Sequence, residues 1–567
     1  MKKKIISMML VAAMAIGLAG CGGSSSDGNA GGASATSGDT STLYINLASE
    51  PNYVDPAMST TVDGGSLIVN SFVGLYTYDA DGNLQPALSD GEAQLSDDSL
   101  TYTFKLIESK WSDGSEVTAN DFVYSWNRVA DPNTGADYSY LFDVVAHNDD
   151  GTLQVEAPDD YTLVVHLNAP CPYFLDLCSF PAFMPVPQAS VEAADPDGTN
   201  PSKWCQEAGY VCNGAYKMTA WTHDESMVFE KNEYYYRADE VKIEKLNFML
   251  SADDTAIYAA YNSGDMDFVD IVPSDEVPNL LDNPEFGLNP QLSTYFICFN
   301  VNSKLYEGKT VEQAAKMREA FSLLIDRKYI IDNIVPYVDK TADTFVCPGI
   351  KDGQGNEFKT TSYYDSDSTG AAMADQAKAL LEECGYTFTE DGNGGYQISP
   401  TLSIKYLLND DTNHEKIAQA VQQDLAVLGI EVQIEKEDWN VFVDDRKSGN
   451  FDVCRHGWVA DFSDPINMLE MWQSTSGNND AQFGRATDGV TWAPDWTEYD
   501  SLIEQIRTEA DLAKRADLMH QAEDILMSTN AIMPIYYNYD IYMQKSNVTG
   551  IYMTVYGMKY FMFAEKN

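Results

Sequence analysis

A chain of 567 residues is longer than one hydrophobic core organises, and with 44% hydrophobic and 12% aromatic residues it has ample material for two or three domains. Its 87 acidic residues outnumber 35 basic ones and leave a formal net charge of −52. That charge repels nucleic acid and anionic membrane, so nucleic-acid partners are excluded and solubility at a cell surface is the plain meaning of the acidity.

Lys2, Lys3 and Lys4 precede an apolar stretch from Ile5 to Ala19, the build of a secretory signal, and Leu18-Ala19-Gly20-Cys21 resembles the cleavage box of a bacterial lipoprotein. Residues 1–20 are therefore expected to be removed and Cys21 to be lipidated, since stable anchoring takes more than one acyl chain. Residues 21–42 carry no large apolar side chain and read as a flexible tether. No other run approaches the length of a membrane span. Residues 43–49 alternate as a strand, Pro51 and Pro56 flank a loop, and a helix is expected over 66–75. Residues 101–107 alternate again, Trp111-Ser112-Asp113-Gly114 makes a turn, and Thr118 is placed to cap a helix running to Arg128. A strand over 161–167 ends in a segment punctuated by Pro170, Pro172, Pro181, Pro185 and Pro187. Between 311 and 334, Ala314, Met317, Phe321, Leu324 and Ile325 keep to one face and predict one helix.

The clearest pattern lies in 402–456. Strand LSIKYLL, a helix from His414 to Leu428 stopped by Gly429, strand IEVQI, a helix from Trp439 to Lys447 and strand FDVCR predict adjacent parallel strands with right-handed crossovers. Ligands of such sheets bind off the carboxyl ends of the strands, where His456-Gly457-Trp458-Val459-Ala460-Asp461 falls.

Catalytic patterns are missing. There is no H-E-x-x-H and no G-x-S-x-G between a strand and a helix. Gly308-Lys309-Thr310 imitates the end of a phosphate loop, but Ser303 stands where the first glycine belongs. His147, His166, His223, His414, His456 and His520 are scattered singly, and the cysteine spacings are not those of a zinc site, so no metal or cofactor is expected. Cys171 and Cys178, and Cys205 and Cys212, stand seven apart; local disulfides and buried thiols both remain open.

Residues 111–134, WSDGSEVTANDFVYSWNRVADPNT, followed by Val211-Cys212-Asn213-Gly214-Ala215-Tyr216, by Met317-Arg318-Glu319-Ala320 with Ile325-Asp326-Arg327, and by Arg455 to Asp461, resemble the extracellular solute-binding proteins of the peptide/nickel ABC-transporter family, family 5, in its oligopeptide-binding branch. The resemblance spans nearly the whole chain after Cys21. For 111–134 the roles expected are those of a turn and a helix cap.

The resemblance implies an α/β, periplasmic-binding-protein-like two-lobed cleft (type II, cluster C) with an inserted extra domain. Mapped here, domain I is 43–72, 211–292 and 535–567, inserted domain II is 73–210, and domain III is 293–534. It implies a lipid-anchored monomer at the extracytoplasmic face that captures oligopeptides between domains I and III and delivers them to an ABC permease, with no enzymatic activity. Such a receptor holds what all peptides share, because main-chain hydrogen bonds are independent of side chains. Asp461 matches the carboxylate that pairs with the ligand's α-ammonium, and Gly457 and Trp458 match positions beside the ligand backbone. Arg455, Arg446 and His414 match basic positions that meet the carboxylate of short peptides, while Tyr140 and Trp439 resemble pocket-lining aromatics. Departures are Ser293 and Val459, where close members carry a disulfide, and Thr60 in place of a ligand-facing glutamate; Val62 keeps its apolar type. Alternative ligands are a dipeptide, a metal chelate, an oligosaccharide or a peptide pheromone. A surface hydrolase using Asp461 and Asp464 as an acid pair is the rival from another class, although Asp464 before Pro465 reads as a helix cap.

Overall fold

The computed structural model describes residues 39–567 except 48, 49 and 393. The leader, Cys21 and nearly all of the tether expected from the sequence lie outside the described residues. Among those described, no helix is long and apolar enough to cross a membrane.

The alternating segment near the start forms β1 (Thr42–Asn46), ending before residue 49. The first helix, α1 (Val62–Ser71), begins earlier than the apolar pattern predicts. Its cap is Thr61, whose hydroxyl accepts from Gly64 N, and its start is masked in the sequence by two glycines that close packing demands. A Cβ on Gly64 would stand 2.8 Å from Tyr53 O, and one on Gly65 would stand 2.6 Å from Met558 Cε. The Thr118 cap holds: Thr118 N donates to Asp121 Oδ2 at 2.7 Å and opens α2 (Ala119–Ala130). Trp126 of α2 is fully buried and donates to Phe183 O, and Arg128 grips the buried Asp55 at 2.6 Å. The 111–134 segment is thus scaffold. It packs on a small sheet whose strands run in the order Gln94–Leu95, Thr101–Lys105, Thr162–His166 and Val155–Asp159.

Ten strands form the main sheet. They are β1, β2 (Tyr216–Thr222), β3 (Ser226–Lys231), β4 (Lys245–Met249), β5 (Phe268–Val269), β6 (Phe286–Phe299), β7 (Ser403–Asn409), β8 (Glu431–Glu437), β9 (Val453–Val459) and β10 (Ile532–Gln544), in the order β2-β3-β4-β1-β5-β10-β6-β9-β7-β8. The sheet is mixed. β1 runs parallel to β4 and β5, and β7 runs parallel to β8 and β9, as the strand–helix alternation predicts, while β6 is antiparallel to both its neighbours. The long β6 and β10 are the strands by which the chain passes between the two halves of the sheet. Their register slips between Pro290 and Thr294, where proline has no N–H to give the ladder.

The single helix expected over 311–334 is two, α3 (Val311–Leu324) and α4 (Arg327–Asn333). Asp326 caps the second, accepting from Tyr329 N at 2.8 Å, and the buried Arg327 guanidinium donates to Ser322 O at the end of the first. Apolar periodicity continues across the break because both helices bury apolar residues, Leu324 at the end of the first and Ile330 and Ile331 in the second. Next, α5 (Thr412–Ala426) and α6 (Trp439–Ser448) link β7 to β8 and β8 to β9, and α7 (Pro465–Glu470) follows β9.

Cys171, Cys178, Cys205, Cys212, Cys298, Cys347, Cys384 and Cys454 are buried free thiols, which decides the open choice against local bridges. Ser293 and Val459 are direct partners on the β6–β9 ladder, and farther along it Cys298 faces Cys454 with their side chains in hydrogen-bond contact.

Candidate functional site

β9 builds the site because its two edges are unequal. One edge pairs with β6 from Val453 to Val459, whereas on the other β7 reaches only Val453 and Cys454. From Arg455 onward the second edge is open toward a cavity of about 420 Å³, inside the range of roughly 300–1,000 Å³ usual for ligand clefts. The far wall comes from α1, the residues after β5, β10 and residues 556–559, with Tyr138, Phe180 and Pro181 closing one end. Tyr295 and Tyr536 stack at 4.7 Å along the floor.

Asp461, just past β9, reaches into this cavity. Asn467 Nδ2 donates to its Oδ2 at 2.9 Å and the Tyr138 hydroxyl donates to its Oδ1 at 3.0 Å. Among the described residues no lysine, arginine or histidine pairs with it. Burial therefore pushes its pKa up to about 7, against the pull of Asn467 and Tyr138. Asn467 also fixes the frame, since its Oδ1 accepts from Asp461 N at 3.0 Å and from Trp458 Nε1 at 3.1 Å. Asn467 is held by α7, capped by Asp464, whose carboxylate is gripped at 2.8 Å by both terminal nitrogens of Arg515. Asp464 is buried and does not line the cavity, so it forms no acid pair with Asp461.

Arg455 is the opposite case. Its guanidinium lies over Trp439 and Phe442, its Nε donates to Asn409 Oδ1 at 2.6 Å, and no carboxylate among the described residues pairs with it. Burial pulls its pKa down to about 10, leaving it charged. The other expected cations are spent or neutral. Arg446 pairs with Asp480 at 2.8 Å, and Asp480 is held well below the usual carboxylate range, burial notwithstanding, by Arg446 and His456. Burial takes His414 down to about 4, so its ring is uncharged at neutral pH and shares a 3.3 Å hydrogen bond with the Tyr295 hydroxyl.

Thr60, Val62, His414, Trp439, Arg446, Arg455, Gly457, Trp458 and Asp461 all line the cavity. Tyr140 does not. It is buried with its hydroxyl near Asn478, its ring centroid 6.0 Å from that of Tyr138, and of the two tyrosines of DYSYLF it is Tyr138 that lines the cavity and donates to Asp461. Tyr138, Asn467 and a charged group on the far wall, Asp63, Asp270, Asp540 and Lys559, were not legible as site residues: Asn467 lies on the helix after the β9 motif, and the others come from segments distant from it in sequence.

An open strand edge in a cleft between two halves of a mixed sheet, with Asp461 and Arg455 beside it and unpaired among the described residues, defines a two-lobed solute-binding receptor. The model of the bacterial extracellular solute-binding proteins, family 5, matches residues 83–480, and the chain belongs to that family. It is a family of transport receptors rather than enzymes. The dipeptide-binding protein DppE of Bacillus subtilis is 32% identical over 100% of this chain and 99% of its own length. The structure of Haemophilus influenzae OppA in complex with the peptide RPPGFSPFR superposes with a TM-score of 0.80 at 28% identity, covering 93% of this chain and 99% of that one. The murein tripeptide-binding protein MppA of Escherichia coli, 27% identical, gives a TM-score of 0.80 in one structure and 0.58 in its unliganded open form, both covering 93% of this chain. The halves of the present chain are therefore set as in the former.

Proposed function

We propose that this chain is the peptide-capturing subunit of an ABC importer, lipid-anchored through Cys21 at the extracytoplasmic face, monomeric, and without catalytic activity. The observation that carries this reading is on β9. A strand edge covered by no other described strand from Arg455 onward has at one end Asp461, an anion with no cationic partner among the described residues, and at the other Arg455, a cation with no carboxylate partner among them. A zwitterionic peptide is the complement: its ammonium meets Asp461, its main chain adds to Arg455–Val459, and its carboxylate meets Arg455. That polarity makes the bound peptide antiparallel to β9. Gly457, exposed on this edge, lets the ligand backbone approach without a Cβ in the way, and Trp458 and Tyr138 wall the amino end.

The division into domain I (43–72, 211–292, 535–567), domain II (73–210) and domain III (293–534) belongs to this proposal, with β6 and β10 as the hinge. Support comes from the contacts that cross from domain II to domain III around the cleft: Asp137 with Lys447 at 2.8 Å, Asp143 with Arg507 at 2.9 Å, and Tyr173 stacked on Phe462. Ligand contacts made only when the lobes meet bias that hinge toward closure. The test is to incubate the purified protein with a mixture of free peptides and analyse what it retains by native mass spectrometry. Peptides are expected to be held and returned intact, with a smaller radius of gyration in solution scattering. Cleaved products, or no peptide retained, would refute the proposal.

A further inference from the structure

The wall formed by α1, β5 and β10 carries charge that neither peptide terminus engages. Asp63 sits in the first turn of α1, Asp270 follows β5 and Asp540 lies on β10, and all three line the cavity with Lys559. The Lys559 Nζ is 3.2 Å from Asp270 Oδ2 and 2.9 Å from Asp540 Oδ2, and Lys559 is only 3% exposed. One ammonium thus bridges two carboxylates, Asp270 and Asp540, and among the described residues Asp63 has no ion-pair partner. Burial pushes Asp270 up to about 6, with the like charge of Asp540 adding to it and Lys559 opposing, and burial also raises Asp63. Asp270 Oδ1 is buried and has no hydrogen-bond partner. Across the cavity Asp410 is paired with Lys436 at 3.0 Å, Asp411 feels the charge of Arg455, and His414 contributes none at neutral pH. The wall bearing Asp63, Asp270 and Asp540 is therefore short of positive charge, and a buried acceptor is left unfilled, a costly state unless a donor arrives.

A metal ion is not the complement. No group of three or more ligating side chains among the described residues is arranged to hold one, and the Lys559 ammonium already lies between Asp270 and Asp540. What fits is an organic cation that brings its own N–H donors. Resting on the peptide-receptor reading, we propose that Asp63, Asp270 and Asp540 form a side-chain subsite for a lysine or arginine of the bound peptide. Lys559 sets its threshold: it keeps the empty site tolerable and leaves excess acid for one further cation. An acidic side chain there meets like charge, and an apolar one leaves Asp270 Oδ1 unpaired.

The test is calorimetry with trialanine and with variants carrying lysine, methionine or glutamate at each position in turn. At one position lysine is expected to bind at least about tenfold more tightly than methionine, and glutamate at least about tenfold more weakly. In Asp540→Asn and in Asp63→Asn the lysine-to-methionine ratio at that position should shrink to about twofold or less. The ratio is read within each variant, so a general loss of affinity does not enter it, and circular dichroism checks the fold. Equal affinity for lysine and methionine at every position, with trialanine bound, would overturn the subsite and leave the receptor reading standing. A ratio that persists in both variants would overturn the assignment to these residues. Failure to bind any of the peptides would remove the receptor reading and the subsite with it.

Discussion

Replacing Asp461 by asparagine keeps the shape of the side chain and its acceptor for Asn467 Nδ2 while removing the charge. In the empty cleft the carboxyl titrates at about 7. Pairing with a ligand ammonium must return it at least to the ordinary carboxylate value of about 3.9, a change of about three units or roughly 4 kcal/mol. Part of that survives in asparagine as a neutral hydrogen bond, so the expected loss of affinity is about 100- to 1,000-fold. Isothermal titration should use one peptide in two forms, with a free and with an acetylated amino terminus. The wild type is expected to distinguish them by about the same factor, and Asp461→Asn by less than about threefold, since each change removes the same pair. If the acetylated peptide binds the wild type as tightly as the free one, or the variant still discriminates, Asp461 does not recognise the amine.

Peptide affinity should also follow pH in a fixed direction. Binding lowers the pKa of Asp461 from about 7, so affinity is full above that pH and falls by up to about tenfold per unit below it; above about 8 the peptide amine itself loses its proton. Affinity unchanged between pH 7 and pH 5 would contradict the raised carboxyl. Arg455→Met should weaken a short peptide with a free carboxylate by about 10- to 100-fold and its C-terminal amide only slightly; equal losses for both would place the carboxylate elsewhere. Arg128→Met leaves the buried Asp55 carboxylate without its cation, held only by Ala57 N, Ser202 and Trp204, and should cost about 3 kcal/mol in denaturant unfolding, while peptide affinity of the folded fraction stays within about twofold. An unchanged unfolding midpoint would mean that Asp55 finds compensation elsewhere.

The local signals were strong wherever a residue acts on its own neighbours. Thr118 caps its helix through Asp121, the 402–456 segment gives parallel strands, and Asp464 caps α7, all readable because partner and signal lie within a few positions. The same locality misled at 311–334, where one apolar periodicity runs through two helices, and at 66–75, where Gly64 and Gly65 hide a helix start that close packing imposes. At the site, the β9 residues were readable as a motif, but no periodicity encodes which of two tyrosines meets Asp461.

The amino-acid sequence by itself settles the element types, the strand carrying Arg455 and Asp461, and the absence of any familiar catalytic motif, because these depend on periodicity and on residues close along the chain. Only the tertiary structure decides which charges are free. Arg446 and Arg455 look alike in sequence, yet Asp480, brought from a distant loop, pairs with the first, while no carboxylate among the described residues pairs with the second. Likewise Asp63, Asp270, Asp540 and Lys559 meet from four separate segments. Charge balance in a cleft is a sum over neighbours in space, and burial, which strengthens every unmatched charge, exists only once the chain has closed around it.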